Sequence, residues 1–304
     1  MFKAHALALA VLAAGISGCA LNKAPSASLT AAKSIRVATW NMEHLAEANG
    51  VGCRPRTDAD YARMRSDAAA LNADVIAFQE VETKAAAERV FDPALYDVVI
   101  SGRPMSGRGG ACNGKSGLSI RQQDVGFAIR KGVDWSRNPD VQALGLGNPD
   151  LRWGVDITVR GSKPLRLLAV HLKSGCNIGR DFADTDCPVL FSQEPVLKKW
   201  IEDRVRTSEA FAILGDWNRR LSSAGDQFFA ALDRAQPKAA DLTLTNDGRS
   251  ATCNPRYRDF IDYIVAGADA AKLIVPGSFA EYTYGVPVEQ HPSDHCPVSV
   301  SFRA

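Results

Sequence analysis

The sequence predicts an α/β domain with many strands in mixed order, sheets packed on one another and helices on the outside. Three observations carry this. Hydrophobic runs of strand length recur along the whole chain after residue 34. Helical periodicity is confined to a stretch opened by Thr57 and another at about 193–206. The regular strand–helix alternation of a βαβ winding is missing.

The elements follow in order. Ile35-Arg36-Val37-Ala38-Thr39-Trp40 alternates as a strand. Thr57 opens a helix with Tyr61, Met64, Ala68 and Leu71 on one face. Asp74–Phe78 reads as a short buried strand. Further strands are expected at Tyr96–Ile100, Asp124–Arg130, Trp153–Val159 and Leu165–Leu172, with Lys163-Pro164 marking a hairpin between the last two. Strands resume at Ala210–Leu214, Phe260–Val265, Glu281–Tyr284 and Val298–Phe302. Residues 101–121 hold Arg103, Arg108, Lys115 and Arg121, many glycines and no acid. They are too long for a simple turn and read as a functional surface loop.

No repeat, low-complexity block or second linker follows residue 33, so residues 34–304 read as one domain. The charged fraction of 23% is ordinary for a soluble globular chain. A net charge of +2 is not the footprint of a strong, non-specific nucleic-acid binder, but it leaves room for a nuclease with local contacts. Residues 1–18 read as a secretory signal: Lys3, the apolar run Ala6–Ile16, then small residues. The run is too short to span a bilayer comfortably. Its end, Ile16-Ser17-Gly18-Cys19, resembles the bacterial lipobox. That resemblance implies Cys19 as a lipidated first residue, with Ala20 after it favouring the outer membrane. A protein cut nearby without lipid would be periplasmic or secreted. Residues 19–33 are small and polar and read as a flexible tether. The lipid is the only membrane contact expected, and nothing requires an obligate protein partner.

Six cysteines follow Cys19, an even number that suggests disulfides in an exported chain. Cys176 and Cys187 bracket a short polar loop and make the first candidate pair. Cys53 and Cys112 would join two Gly-rich, basic loops. Cys253 and Cys296 remain by subtraction, either paired or as lone buried residues.

Polar clusters end several of the hydrophobic runs. Thr39-Trp40-Asn41-Met42-Glu43 places an amide where it can orient or ligate a metal, or simply form a turn. Phe78-Gln79-Glu80-Val81 puts a carboxylate directly after a buried strand. Val170-His171-Leu172-Lys173-Ser174 sets a histidine in an apolar strand, a place that also suits a structural residue. Leu214-Gly215-Asp216-Trp217-Asn218 directs Asp216 and Asn218 towards one cleft. Phe260-Ile261-Asp262-Tyr263-Ile264 buries an Asp that needs a partner, and an imidazole is a natural one. Ser293-Asp294-His295-Cys296-Pro297-Val298 supplies a carboxylate for a hard cation beside an imidazole that can take a proton from water.

The ordered set TWN, QE, HLKS, GDWN, IDYI and SDHCPV resembles the endonuclease/exonuclease/phosphatase superfamily, the DNase-I-like fold, from Asn41 to Val298. The resemblance implies a four-layer sandwich: two mixed β-sheets face to face, flanked by helices, with the site at one edge. It implies Glu80 as principal ligand of Mg²⁺ or Mn²⁺, assisted by Asn41 and Asp294. It implies His295 as general base, held by Asp262, with His171, Asp216 and Asn218 serving the phosphoryl group and the nucleophile. Gln123 occupies a place where some members carry an acidic or aromatic residue; an amide cannot be a general acid but can bind phosphate. His44 and His291 match no such position and read as bystanders.

The motifs serve phosphodiester and phosphomonoester chemistry alike. Three basic features lean towards a polyanion, with nucleic acid as the expected substrate: the 101–121 loop with Arg121, the pair Arg219-Arg220, and Arg256 with Arg258. The expected activity is therefore a metal-dependent nuclease. A phosphatase or phospholipase of sphingomyelinase type is the alternative, and a non-catalytic binding or toxin module a third reading.

Overall fold

The computed structural model describes residues 1–2, 34–106, 110–181, 183 and 185–303. The chain divides into Met1–Ala32 and a compact unit, Lys33–Ala304. The signal, lipobox and tether expected over residues 1–33 lie outside the described residues, apart from Met1 and Phe2. Among the described residues no helix is long and apolar enough to cross a membrane.

The compact unit opens with β1 (Ser34–Leu45), α1 (Asp58–Ala70), β2 (Val75–Val81), α2 (Lys84–Glu88) and β3 (Tyr96–Ile100). A small hairpin, β4 (Ala111–Cys112) and β5 (Lys115–Ser119), lies within the Gly-rich loop. Then come β6 (Asp124–Arg130), β7 (Trp135–Arg137), β8 (Val155–Val159), β9 (Leu165–His171), α3 (Asp186–Thr207) and β10 (Phe211–Asp216). The rest is α4 (Gln227–Asp233), β11 (Thr243–Leu244), β12 (Asp262–Ala266), α5 (Ala268–Ala271), β13 (Ala280–Glu281) and β14 (Val298–Arg303).

The strands form two six-stranded mixed sheets, ordered β13-β14-β1-β2-β6-β3 and β11-β12-β10-β9-β8-β7. Among the described residues only β1 with β2 and β9 with β10 run parallel, at the centre of each sheet. The inner faces pack together through β1, β2 and β6 against β9, β10 and β12. Along β1 the pleat sends Ile35 and Val37 between the sheets, and Ala38, Trp40 and Met42 towards Tyr61, Met64, Ala68 and Leu71 of α1. Each such fully buried large side chain contributes about 1.5–3 kcal/mol relative to exposure. On the outside of the second sheet, Leu190, Phe191, Leu197 and Trp200 of α3 join the core beside Phe211. The result is the helix–sheet–sheet–helix sandwich that the motifs imply.

Local chemistry explains where elements start. Thr57 caps α1, its side chain accepting from Asp60 N while the Asp60 carboxylate accepts from Thr57 N. Helix α3 begins at Asp186, not near 193. Pro188 falls in its first turn, where no intrahelical donor is needed, and the helix continues through Pro195. The strand expected at Glu281–Tyr284 shrinks to β13: Tyr282 N still bonds Pro297 O in register, but proline has no N–H to return the bond and the ladder stops there. Among the described residues the disulfides are Cys53–Cys112, Cys176–Cys187 and Cys253–Cys296. Each fixes a loop near the sheet edge where the polar clusters gather.

Candidate active site

The site forms where the inter-sheet core turns polar. Continuing the inward row of β1 and β2, Thr39 and Gln79 hydrogen-bond to each other, and Asn41 ends the row. The two strands then bulge together. Their pairing skips from Asn41 opposite Gln79 to Leu45 opposite Val81. Glu43, His44 and Glu80 adopt positive φ of 42°, 53° and 61°. Such conformations cost about 1–3 kcal/mol each in non-glycine residues and cluster at functional sites. The bulge re-aims Glu80. Regular alternation would send it after Ile76 and Phe78 to the helix side. Instead its Oε1 accepts from Asn41 Nδ2 at 3.3 Å and its Oε2 from His44 N at 3.0 Å.

The second sheet supplies a row of three. β9, β10 and β12 place His171, Asp216 and Asp262 side by side in register. Gly215, just before Asp216, has φ 152°, and a Cβ there would lie 2.0 Å from Val170 O. No other residue lets β9 and β10 approach so closely. Asp216 Oδ1 accepts from Asn218 N at 2.8 Å, and its Oδ2 accepts from Asn41 Nδ2 at 3.0 Å. Oδ2 also lies 3.5 Å from His171 Nε2 and 3.9 Å from His295 Nε2.

His295 arrives on the loop before β14. Its Nδ1 lies 2.7 Å from Asp262 Oδ2. Ser293, fully buried, donates to Asn41 O and accepts from His295 N, which ties this loop to β1. Tyr284 donates its hydroxyl to His295 O at 2.7 Å. Burial works against a charged His295 ring, yet the Asp262 and Asp216 carboxylates outweigh it and hold the pKa well above the ordinary value. Burial, reinforced by Asp262, pushes Asp216 up to about 7. Burial and then the Arg152 guanidinium drive His171 well below its ordinary value, so its ring is neutral. The two imidazoles are thus pushed in opposite directions, His295 towards holding its proton and His171 towards losing it.

Glu43, His44, Glu80 and Asp294 line a cavity of about 250 Å³. Burial and the Asp294 carboxylate raise the Glu43 pKa, a sign of negative charge crowded into one place. A carboxylate-lined cavity fits a hard divalent cation with oxygen ligands and no thiolate. A second grouping, Asp216, Asp262 and His295, has its ligand atoms within 4.8 Å of one another. Cys253, Cys296 and His291 are also close, but both sulfurs are in a disulfide.

Several expected roles change. Asn41 was expected to offer an oxygen to a metal. Its Oδ1 accepts from Glu43 N with one lone pair to spare, and its Nδ2 donates to the carboxylates of Glu80 and Asp216, so it also struts two acids. Arg219 was expected to bind substrate. It is fully buried, with bonds to Cys176 O and Gly179 O and an ion pair to Asp226 at 2.7 Å. Arg121 is engaged by Glu82, at 2.6 Å from Nε. The expected polyanion role of the 101–121 loop weakens for the same reason. Arg103 is buried on Asp124 and Lys115 bonds Cys53 O, while Arg108 lies outside the described residues. Gln123 stands at the rim, with Nε2 3.2 Å from His44 Nδ1. His44 is therefore part of the site wall rather than a bystander, while His291 packs against the Tyr284 ring. Sequence reasoning also gave no role to Glu43 or Ser293, although both sit inside quoted motifs.

The Arg219–Asp226 pair yields a stability prediction. Asp226 also caps α4 by accepting from Phe229 N. Asp226→Asn leaves a capping oxygen but strands a buried guanidinium. A loss of about 3–5 kcal/mol is expected, read from the urea midpoint. A midpoint unchanged within error would contradict the pairing.

Comparisons agree with this architecture. The family model for the Endonuclease/Exonuclease/phosphatase family matches residues 38–295. D. rerio TDP2, solved with a single strand DNA product, aligns at TM-score 0.56 and 17% identity over 89% of this chain and 99% of that one. The human Nocturnin catalytic domain, solved with bound sulfate, aligns at 0.57 and 15% over 88% and 94%. An AP endonuclease from Archaeoglobus fulgidus aligns at 0.53 and 13% over 89% and 100%. At these identities the structures speak for the fold alone. The search of curated proteins found no match. Motif order, two-sheet architecture and the family model that matches residues 38–295 agree: the chain belongs to the endonuclease/exonuclease/phosphatase family.

Proposed function

We propose that the protein is a divalent-metal-dependent phosphodiesterase acting on nucleic acid. The observation that carries the reading is the His295–Asp262 contact at 2.7 Å, set between Asp216 and the carboxylate cavity of Glu80. Glu80 and Asp294 would hold Mg²⁺ or Mn²⁺, with Glu43 beside them. Bound there, the cation would offset charge on the phosphoryl oxygens. His295 takes a proton from the attacking water through Nε2, while Asp262 fixes the proton on Nδ1 and favours the cation that forms. Neutral His171 offers a donor to a phosphoryl oxygen, and Asp216 and Asn218 position the nucleophile. The solved complex of TDP2 with a DNA product supports a nucleic-acid substrate for this fold. The test is hydrolysis by purified protein, with Mg²⁺ or with chelator, of plasmid DNA, RNA, inositol phosphates and sphingomyelin. Cleavage of lipid or inositol phosphate but not nucleic acid would overturn the substrate assignment.

The electrostatics give the pH dependence its sign. A base acts when neutral, and the neighbouring carboxylates raise the His295 pKa. kcat/KM should therefore climb with pH along a limb placed well above the ordinary histidine range. Asp216→Asn removes one of the charges that holds the proton, so the limb should move to lower pH even as the rate falls. A limb that stays in place would separate Asp216 from the base.

We also propose attachment to the outer membrane through a lipidated Cys19, on the lipobox-like run that ends there. Acyl chains contribute about 0.8 kcal/mol per buried CH₂, and more than one chain anchors stably. Cys19→Ser should release the protein from the membrane fraction, with loss of the lipid mass. An unmodified mature N-terminus at another residue in the wild type would refute the anchor.

A further inference from the structure

A second cavity, of about 540 Å³, opens on the other side of His295. Arg220, Arg256, Tyr257 and Arg258 line it together with Asp262 and His295. Asp294 lines both this cavity and the carboxylate one, so the two meet beside the proposed base.

The charge inventory of this wall is uneven. Asp262 is engaged by His295, Asp259 by Arg220 at 3.4 Å, and Glu281 by the N–H and hydroxyl of Thr252. Among the described residues, neither the Arg256 nor the Arg258 guanidinium has a hydrogen-bond or ion-pair partner. Both are exposed, and Tyr257 between them is 59% exposed. The loop that carries them is nonetheless built. Ala251 N bonds Arg258 O, Tyr257 N bonds Asn254 O, and Arg256 N bonds Asn254 Oδ1. Cys253 at its start is joined to Cys296, the residue after His295. Two unpartnered cations and an aromatic ring are thereby held at a fixed place beside the reaction centre.

Resting on the nuclease reading, we infer that this loop is the subsite for the nucleotide flanking the scissile phosphate. Arg256 and Arg258 take the flanking phosphate and Tyr257 stacks on its base. Guanidinium forks match phosphate oxygens, and aromatic faces accept any base, so the site binds a single strand with little sequence preference. Among the described residues of the three basic features, Arg256 and Arg258 are the ones whose guanidinium groups stay free for a polyanion.

The test uses the full purified chain and the Arg256→Ala/Arg258→Ala double variant. Oligonucleotide binding is followed by anisotropy in chelator, and hydrolysis of a single-stranded oligonucleotide is compared with that of bis(p-nitrophenyl) phosphate, which has no flanking phosphate. The double variant should weaken oligonucleotide binding at least ten-fold and flatten its log–log salt dependence by roughly 0.7 for each lost contact. Its loss of kcat/KM on the oligonucleotide should exceed its loss on the small diester at least ten-fold. Tyr257→Ala should weaken an intact strand, and weaken much less one with an abasic flanking nucleotide. Equal losses on the two substrates, or an unaltered salt slope, would overturn the subsite. If the wild type hydrolyses no phosphodiester but binds the strand through these arginines, the enzymatic reading falls and the loop's contact with the strand stands. If it hydrolyses the small diester but the arginines do not affect strand binding, only the subsite falls.

Discussion

His295→Ala is expected to lower turnover by roughly 10²–10⁴-fold, the usual contribution of a positioned general base. Asp262→Asn should do comparable damage. Its carboxylate lies 2.7 Å from Nδ1 and stabilises the protonated ring. An amide in its place can still hydrogen-bond but no longer favours the imidazolium, and it can turn its own N–H towards the ring and select the wrong tautomer. The double variant should be little worse than His295→Ala, because residues that act as a unit are strongly non-additive. Steady-state rates of the four proteins make the cycle. Fully additive losses would show that Asp262 does its work somewhere other than on His295.

Glu80→Gln comes next, with an expected loss of roughly 10²-fold or more, the scale on which one charge-stabilising group acts. The substitution keeps shape and one oxygen but removes charge from the cavity shared with Glu43 and Asp294. Cation affinity should fall with it, which isothermal titration of the wild type and variant with Mn²⁺ would read without any substrate. Excess chelator should abolish wild-type activity. Full activity in chelator, or unaltered Mn²⁺ affinity in Glu80→Gln, would remove Glu80 from metal binding.

The strands at Tyr96–Ile100 and Asp124–Arg130 follow from alternation and burial in the sequence. Each of His171, Asp216 and Asp262 is visible in the sequence beside or within a hydrophobic run, but that β9, β10 and β12 bring them side by side in register is not. Parity and loop placement point to Cys176–Cys187 and Cys53–Cys112, while Cys253–Cys296, open in the sequence, is paired by the fold. What stayed hidden depends on conformation or on long-range partners. Positive φ at Glu43 and His44 leaves no trace in composition, so a wall of the site was passed over. Arg219, Arg103 and Arg121 looked like available cations, but Asp226, Asp124 and Glu82 engage them across sequence gaps that no local pattern spans. Helix α3 begins seven residues before the expected 193, and Pro188 sits in its first turn, where a helix tolerates it.

At the Glu80 bulge, Phe78 pairs with Gly126 and Val81 with Asp124, so β2 holds one residue more than the partner strand requires. The surplus residue is Glu80, with its positive φ. The proposed metal-binding acid is thus a supernumerary member of its strand. Shortening the chain by that one residue would even the count against β6, with Val81 opposite Asp124, but would deepen the mismatch with β1, which already sets residues 42–44 against Glu80 alone. The acid proposed to bind metal thus occupies the place where β2 answers to two neighbours with different counts: one residue too many for β6 and two too few for β1.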